Sequence, residues 1–351
     1  MKILRWLLLP FSIIYGAVVG FRNLLFDWGV LKSTAVSIPT ICIGNLTVGG
    51  TGKTPHVEYV VELLRHYSNV ATLSRGYKRK SKGFNYASTN STVNGVGDEP
   101  LQIKNKFPEV TVAVDGDRVG GVKKLISGNP LLDVVILDDA FQHRYIKPGL
   151  SILLVDYSRP VWNDVFLPTG NLRDSFKERR RADIVVFTKS PANISSFKME
   201  EYSKAMKLKG NQKVFFSTFS YGNPIPVFSK ESGNFLIEQN TQAIAFSGIA
   251  KPFPFFSYVE SICQLNEIMV FSDHHFFSKK EIQTIFDKFS KINTENKVLL
   301  TTEKDAMRIR SLEGFDSEIK SKLFYIPVTV EFLGDNQAEF NNKIISYVRA
   351  N

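Results

Sequence analysis

Between residues 44 and 55 the chain reads Gly44-Asn-Leu-Thr-Val-Gly-Gly-Thr-Gly-Lys53-Thr54-Pro55. The run differs by one residue from the phosphate-loop pattern G-x-x-x-x-G-K-[ST], because Thr47 stands where its first glycine would be. Across Thr47, Val48, Gly49, Gly50, Thr51 and Gly52 the three glycines give the backbone freedom to wrap successive N–H groups around a phosphate. Lys53 then reaches the β- and γ-phosphates, and the Thr54 hydroxyl binds Mg²⁺. A glycine-rich turn without a ligand would not require Lys-Thr at the start of a helix. A metal at such a loop needs a carboxylate at the end of a neighbouring strand, and Val134-Val-Ile-Leu-Asp138-Asp139 supplies two. Adjacent acids repel unless a cation sits between them, which itself argues for Mg²⁺. An acidic strand end that caps the following turn accounts for one of the pair but not readily for both.

Phosphoryl transfer to an alcohol also needs a group to take the hydroxyl proton. The candidates are Asp98 in Gly97-Asp-Glu-Pro, Asp115 and Asp117 in Asp115-Gly-Asp-Arg118, and the acid or imidazoles of Asp273-His274-His275. Spacing does not rank them. No N-K-x-D guanine signature occurs, but Thr188-Lys-Ser-Pro and Thr302-Glu-Lys-Asp305 resemble it loosely. They keep a GTPase or ATPase assembly factor as the alternative class.

These residues must be carried by elements, and from residue 36 onward the pattern is strand, loop, helix, repeated. Val36 to Ile43 is an apolar, β-branched run whose start Pro39 makes irregular. Pro55 to Tyr67 has Val57, Val60, Val61, Leu64 and Tyr67 at helical spacing. Short apolar runs at 69–74, 110–115, 134–138, 151–156 and 184–188 are those of strands buried on both faces, hence a parallel sheet covered by helices. A second set begins near Val214 and continues at 243–247, 268–272, 298–302 and 324–328. Within it Ser278 and Glu281 form a capping box opening a helix with Ile282, Ile285, Phe286 and Phe289. The expected organisation is an N-terminal apolar helix over 1–30, a phosphate-loop core over 31–225, and a smaller α/β domain over 226–351 whose last segment returns to the core.

Composition bounds what these domains do. At 351 residues and 43% hydrophobic, the chain has the makeup of a globular protein of about two domains. Its mean hydropathy is −0.08. Lys and Arg number 44 against 34 acids, a net charge of +10 that calls for anionic company: nucleic acid, phosphorylated ligands or an anionic membrane. Basic loops are present, but no nucleic-acid-binding motif is, so nucleic acid is not the expected partner. Cys42 and Cys263 form no metal-ligand or disulfide spacing. The segment from Trp6 to Phe21 carries no charge and is flanked by Lys2, Arg5 and Arg22. As a helix it is about 24 Å long, short of the roughly 30 Å hydrocarbon core. It begins like a signal peptide, yet no A-x-A site follows and the phosphate loop comes soon after. Cationic flanks with Trp6, Tyr15 and Trp28 near its ends favour a shallow or marginally spanning anchor on the cytoplasmic leaflet.

With these pieces in place, the chain resembles the tetraacyldisaccharide 4'-kinase family of lipid A biosynthesis, nearly end to end. The likeness is carried by the N-terminal apolar helix and Arg22, Gly44 to Pro55, Ser74-Arg-Gly-Tyr77, Gly97-Asp-Glu-Pro, Asp115-Gly-Asp-Arg118, Leu137-Asp-Asp-Ala-Phe-Gln-His-Arg144 and Leu167-Pro-Thr-Gly-Asn-Leu-Arg173. Phe246-Ser-Gly-Ile, Asp273-His-His and Thr301-Thr-Glu-Lys-Asp305 continue it in the C-terminal half. Each motif is weak alone; their order makes the set specific. The resemblance implies a membrane-associated kinase moving the γ-phosphate of ATP to the 4'-hydroxyl of a tetraacylated glucosamine disaccharide 1-phosphate. The nucleotide would lie in a cleft between a P-loop core and a smaller α/β domain. It further implies Asp98 as base with His274, rather than His275, as its partner in the other domain. Mg²⁺ would fall to Thr54 and Asp138, with Asp139 or Glu99 contributing directly or through water. Arg75, Tyr77, Arg118, Asn171 and Arg173 are the groups expected near the disaccharide and its 1-phosphate. An anionic inner-membrane surface, on its cytoplasmic face, is the expected setting. One departure concerns Arg173, which is followed by Asp174-Ser where the family usually has Glu-Pro.

Overall fold

Pro39 has no N–H to give a ladder, and pairing starts immediately after it. Strand β1 (Thr40–Asn45) is buried along its whole length. It lies in a nine-stranded sheet of order β14-β8-β7-β6-β1-β5-β2-β4-β3. Its neighbours are β5 (Val134–Asp138) and β6 (Leu150–Asp156), both parallel to it. Beyond them run β2 (Val70–Ser74), β4 (Thr111–Val114), β7 (Ile184–Thr188) and β8 (Lys213–Tyr221), all parallel, while the edge strands β3 (Asn85–Ala87) and β14 (Val328–Phe332) are antiparallel. The computed structural model describes residues 5–351 except 229–234, 274, 311, 313, 314 and 335.

Helix α2 (Lys53–Leu64) follows the phosphate loop and buries Val57, Val60, Val61 and Leu64 against this sheet. At about 1.5–3 kcal/mol for each fully buried apolar side chain, that face seats the loop firmly. Helix α3 (Asp98–Lys106) and helix α4 (Arg118–Gly128) carry the Gly-Asp-Glu and Asp-Gly-Asp-Arg motifs at their N-terminal ends.

The second sheet has the order β11-β10-β12-β13-β9, formed by β9 (Ile225–Pro226), β10 (Gln242–Ser247), β11 (Gln264–Val270), β12 (Lys297–Thr302) and β13 (Leu323–Ile326). It is parallel except for β9. The expected capping box is present, with Ser278 and Glu281 opening α5 (Lys279–Ser290), and Ile282, Ile285, Phe286 and Phe289 are buried. Helix α6 (Glu303–Ile309) starts at the end of β12, capped by Thr302.

Two readings of the sequence are corrected. The run at Val214 belongs to β8 of the large sheet, because it pairs with β7 from Ile184↔Lys213 to Phe187↔Phe216. The apolar run at 324–328 is two strands that part at Pro327: β13 stays in the small sheet, and β14 crosses to the large one beside β8. Helix α7 (Asn336–Arg349) follows β14, and Phe340 and Ile344 join the core that contains Val57 and Val60.

Helix α1 (Leu9–Asp27) starts with Pro10 in its first turn, where a missing N–H costs nothing. Its polar residues tie it to the core along its length. Ser12 Oγ accepts from Thr169 N at 2.9 Å, Tyr15 Oη donates to Arg173 O at 3.1 Å, and Arg22 donates to Gln142 O at 2.7 Å. Asn23 donates to the buried Asp174 at 2.7 Å. On the other side Phe11, Ile13, Ile14, Val18 and Phe21 are about 60% exposed.

Candidate active site

The phosphate loop leaves β1 and turns back at Gly52, whose φ of +83° is left-handed. A Cβ there would sit 2.6 Å from Phe219 Cζ, so glycine is required by both conformation and space. His56, the fourth residue of α2, fixes this turn: its Nδ1 lies 2.8 Å from Gly52 O and its Nε2 2.9 Å from Ser217 Oγ on β8. Burial pushes its pKa down to about 4, so the ring is neutral, with Nδ1–H donating and Nε2 accepting.

A cavity of about 710 Å³ lies over the loop between the two sheets. Thr47 to Pro55 form one wall, with Tyr77, Glu99, Asp139, Arg173 and Lys189 from the large-sheet side. Lys251, Asp273, Glu303 and Lys304 come from the small-sheet side, and Phe219, Tyr221, Phe255, Ile326 and Val328 give one apolar flank.

At the end of β5 the two aspartates take different partners. Asp139, at a left-handed φ of 49°, is gripped by both terminal nitrogens of Arg173 at 2.7 and 3.1 Å and lies 3.8 Å from Lys53 Nζ. Burial works against its charge, yet Lys53 and Arg173 hold its carboxyl below the usual range. Arg173 also donates to Asn45 Oδ1, which joins this pair to the loop strand. Asp138 is 1% exposed, and its Oδ1 meets no hydrogen-bond donor among the described residues. Burial, then the charges of Glu99 and Asp139, push its pKa up to about 7. A buried, unpartnered carboxylate oxygen beside two further acids is an environment that a hard divalent cation relieves. Among the described residues no three His, Cys, Asp or Glu side chains form a self-sufficient metal cage. The unpartnered Asp138 oxygen nonetheless fits Mg²⁺, which takes few protein ligands and completes its shell with phosphate oxygens and water.

Asp98, 5% exposed at the first position of α3, faces the second sheet. Its Oδ2 accepts from Arg308 of α6 at 2.5 Å, and Lys304 lies 3.9 Å away. Lys304 also pairs with Glu99 at 3.0 Å, and these acids raise its pKa against the opposing effect of burial. Arg308 is held in turn by Asp305 at 2.9 Å, whose other oxygen accepts from Gly248 N and Thr302 Oγ1. The Thr301-Thr-Glu-Lys-Asp305 motif thus builds a rigid mount for two cations aimed at the Gly-Asp-Glu motif.

The remaining candidates fall into distinct places. Tyr77, Arg173 and Glu99 line the cavity; Arg75 is exposed and outside its lining. Arg118 is buried and donates to Asp115 O and Gly116 O, with Nε unpartnered among the described residues. The Asn171 amide is committed to Asp164 at 3.0 Å, while its carbonyl supports Val48 N of the loop at 2.8 Å. Asp117 caps α4, Asp115 accepts from Asp117 N, and His275 sits 3.0 Å from Glu281 of the capping box. These are local structural duties. His274 lies outside the described residues.

Sequence reasoning passed over several cations at the cavity. Lys189, left-handed at φ 57°, donates to Gly50 O of the loop and lies 3.7 Å from Asp156. Burial lowers its pKa to about 8, with Lys251 and Arg159 adding to the effect and Asp156 opposing it. Lys251 reaches across from the small sheet to Asp156 at 3.1 Å and Ser158 at 2.8 Å. The available signals were the strand-end segments Thr188-Lys-Ser-Pro and Thr302-Glu-Lys-Asp305.

A phosphate loop after the central strand of a parallel sheet, with an acidic end on the strand beside it, defines a P-loop nucleotide-binding protein. The family profile described as Tetraacyldisaccharide-1-P 4'-kinase (LpxK) matches residues 4–349. A Bacteroides thetaiotaomicron protein named tetraacyldisaccharide 4'-kinase is 46% identical, covering 100% of this chain and 94% of its own. A Flavobacterium johnsoniae protein of the same name is 42% identical over 100% of this chain and 99% of its own. The crystal structure of the "apo" form of LpxK from Aquifex aeolicus in complex with ATP superimposes with a TM-score of 0.75 at 31% identity, covering 98% of this chain and 99% of that one. The chain belongs to the tetraacyldisaccharide-1-phosphate 4'-kinase family.

Proposed function

We propose that this protein transfers the γ-phosphate of ATP to the 4'-hydroxyl of a tetraacyldisaccharide 1-phosphate, the lipid A precursor, to give lipid IVA. The observation that carries the reading is one shared cavity on which Lys53, Arg173 and Glu99 converge, in a chain with the family's motifs from end to end. The loop N–H groups and Lys53 bind the triphosphate, where the cations already in place offset the charge that develops in transfer. Thr54 and Asp138, with Glu99 and Asp139 directly or through water, would hold Mg²⁺, whose charge neutralises that of the phosphates. The 4'-oxygen attacks γ-phosphorus, the bond to the β–γ bridging oxygen breaks, and the hydroxyl proton passes to Asp98, with His274 as its partner. Arg308 and Glu99 N, both on the Asp98 carboxylate, fix the direction of its oxygens. Tyr77 and Arg173 at the cavity wall are the nearest of the expected sugar and 1-phosphate contacts; Arg118 and Asn171 brace neighbouring loops, and Arg75 is exposed outside the lining.

The exposed face of α1 suits an interfacial anchor. Its apolar residues point outward while Ser12, Tyr15, Arg22 and Asn23 hold the opposite side to the core, so the helix lies along the protein and presents its free face to a bilayer. This supports the reading of a membrane-associated enzyme, whose proposed setting is the cytoplasmic face of the bacterial inner membrane with its anionic lipid.

The test is incubation with γ-labelled ATP, Mg²⁺ and tetraacyldisaccharide 1-phosphate in detergent. Label is expected in the lipid phase as a 4'-phosphate. Label confined to water, with GTP hydrolysed in preference to ATP, would establish the alternative class.

A further inference from the structure

The helix that carries Asp98 and Glu99 at its start carries Lys106 at its end, and Lys106 takes no part in the chemistry described so far. Its half-buried ammonium lies between two buried carboxylates from different parts of the fold. Glu58, on the face of α2 one turn beyond Thr54, lies 2.6 Å away and is 4% exposed. Glu303, the first residue of α6, lies 3.5 Å away and is 7% exposed. Glu58 also accepts from Gln102, one turn earlier on α3, at 2.7 Å. One cation thus joins the phosphate-loop helix, the Asp98 helix and the second sheet at a point removed from the reacting atoms.

Two further contacts follow the same line between α3 and α6: Lys304 with Glu99 at 3.0 Å and Arg308 with Asp98 at 2.5 Å. Together these contacts set the α3–α6 register, and Lys106 differs in also reaching the phosphate-loop helix. We propose that Lys106, clamped between Glu58 and Glu303, is a positioning residue that fixes Asp98 and Glu99 relative to both the phosphate loop and the second sheet. The proposal rests on the reading of Asp98 and Glu99 as groups at the transferred phosphate.

Two carboxylates around one ammonium cannot both ionise without net negative charge in a buried site. Burial raises both carboxyls, and with the charge of Glu58 beside it Glu303 is pushed up to about 8, so at neutral pH the pair shares a proton while Lys106 stays closer to Glu58, at 2.6 Å against 3.5 Å. The groups facing Glu303 are Lys106 from α3, Glu58 from α2, Tyr325 from β13 and Arg310 beyond α6. Above about pH 8 the second charge appears, the two acids repel, and the α3–α6 contact loosens. A kcat that falls as pH rises through that value follows from the clamp.

The test is steady-state kinetics of the full-length enzyme with ATP and tetraacyldisaccharide 1-phosphate from pH 6.5 to 9.5, a window bracketing that value. Lys106→Met is expected to lower kcat about tenfold to hundredfold, the effect of a small misplacement, while the KM for ATP moves less than about twofold. Lys106→Arg, which keeps a donor for both carboxylates, is expected to recover most of the loss. Glu303→Gln should remove the alkaline fall in kcat. Glu58→Gln should move it to lower pH, because the charge that holds the Glu303 proton is gone. Superimposable profiles for wild type, Glu303→Gln and Glu58→Gln would overturn the proposal, as would an unchanged kcat in Lys106→Met. If Lys106→Met does not fold, the two glutamine variants decide by themselves, since they retain every heavy-atom position. Asp98→Ala is measured beside them: normal turnover there sinks the reading of Asp98 and leaves the clamp to be judged by the profiles, whereas an inactive Asp98→Ala beside a normal Lys106→Met sinks the clamp alone.

Discussion

Lys189 shows how much a single side chain's surroundings decide. Its ammonium donates to the carbonyl of Gly50, a backbone group of the loop that must hold phosphate, and its pKa is lowered to about 8 chiefly by burial. Below that pH it is charged and adds to the positive field of the loop; above it the proton and the charge are lost together. ATP affinity is therefore expected to weaken as pH rises through about 8, and Lys189→Arg should hold the affinity constant across the same range. Titration calorimetry from pH 7 to pH 9 checks this, and equal slopes for the two proteins would count against it. Asp98 makes the complementary case. Its partners include Arg308, Lys304 and the backbone of Glu99, and it is absent from the cavity wall that surrounds the loop. Asp98→Ala should cut turnover by orders of magnitude while ATP still binds; lost ATP binding would make the residue structural or metal-linked. Lys53, Thr54 and Asp138 were legible as chemistry because their types and spacing have no other common use. Arg308 was not, because its relation to Asp98 spans 210 positions and exists only once β12 and α3 face each other.

At the scale of elements, legibility followed burial symmetry. Runs buried on both faces, such as 134–138 and 184–188, were readable as parallel strands from composition alone. The run at Val214 groups with the second set of strands although the expected core bounds of 31–225 enclose it, and the ambiguity has a physical cause: an apolar strand states that it is covered, not by which neighbour, and the pairing is settled by β7 on one side and β14 on the other. Helix α1 was legible as an apolar run with cationic flanks, whereas its docking depends on single polar residues that meet groups near positions 142 and 169–174. Its two faces should separate by mutation. Replacing Phe11, Ile14, Val18 and Phe21 with serine should abolish sedimentation with anionic vesicles while leaving the melting temperature nearly unchanged, since all four are about 60% exposed. Asn23→Ala should do the reverse. It leaves the fully buried Asp174 without its 2.7 Å donor, at a cost of about 1–3 kcal/mol, read as a lower melting temperature with vesicle binding retained. A serine variant that still pellets would locate the anchor elsewhere, in the basic loops around 75–82.

At the scale of the molecule, the chain leaves the large sheet after Tyr221, builds the small one, and returns at Val328, which pairs with Tyr221. The outgoing and incoming segments lie side by side, with Gly222 N donating to Pro327 O at 3.0 Å. The cavity opens next to this double crossing, so the wall that carries Lys251, Glu303 and Lys304 meets the phosphate loop only because both segments fix it there. The net charge of +10 is partly spent here: Lys53, Arg173, Lys189, Lys251, Lys304 and Arg308 surround the site from both sheets, where phosphates are expected. The C-terminal segment consequently belongs to the ATP core in folding terms although it follows the second sheet in sequence. Ending the chain at Ile326 would leave every strand of the small sheet in place. It would also strip Val330, Phe332, Phe340 and Ile344 from the core they share with Val57, Val60 and Phe215. At about 1.5–3 kcal/mol for each buried side chain, this approaches the whole 5–15 kcal/mol stability of a typical protein. The truncated chain is expected to lose ATP binding and the cooperative melting transition of the core together, measured by calorimetry on purified protein. A truncated protein that binds ATP with wild-type affinity would show instead that β14 and α7 are accessory to the core.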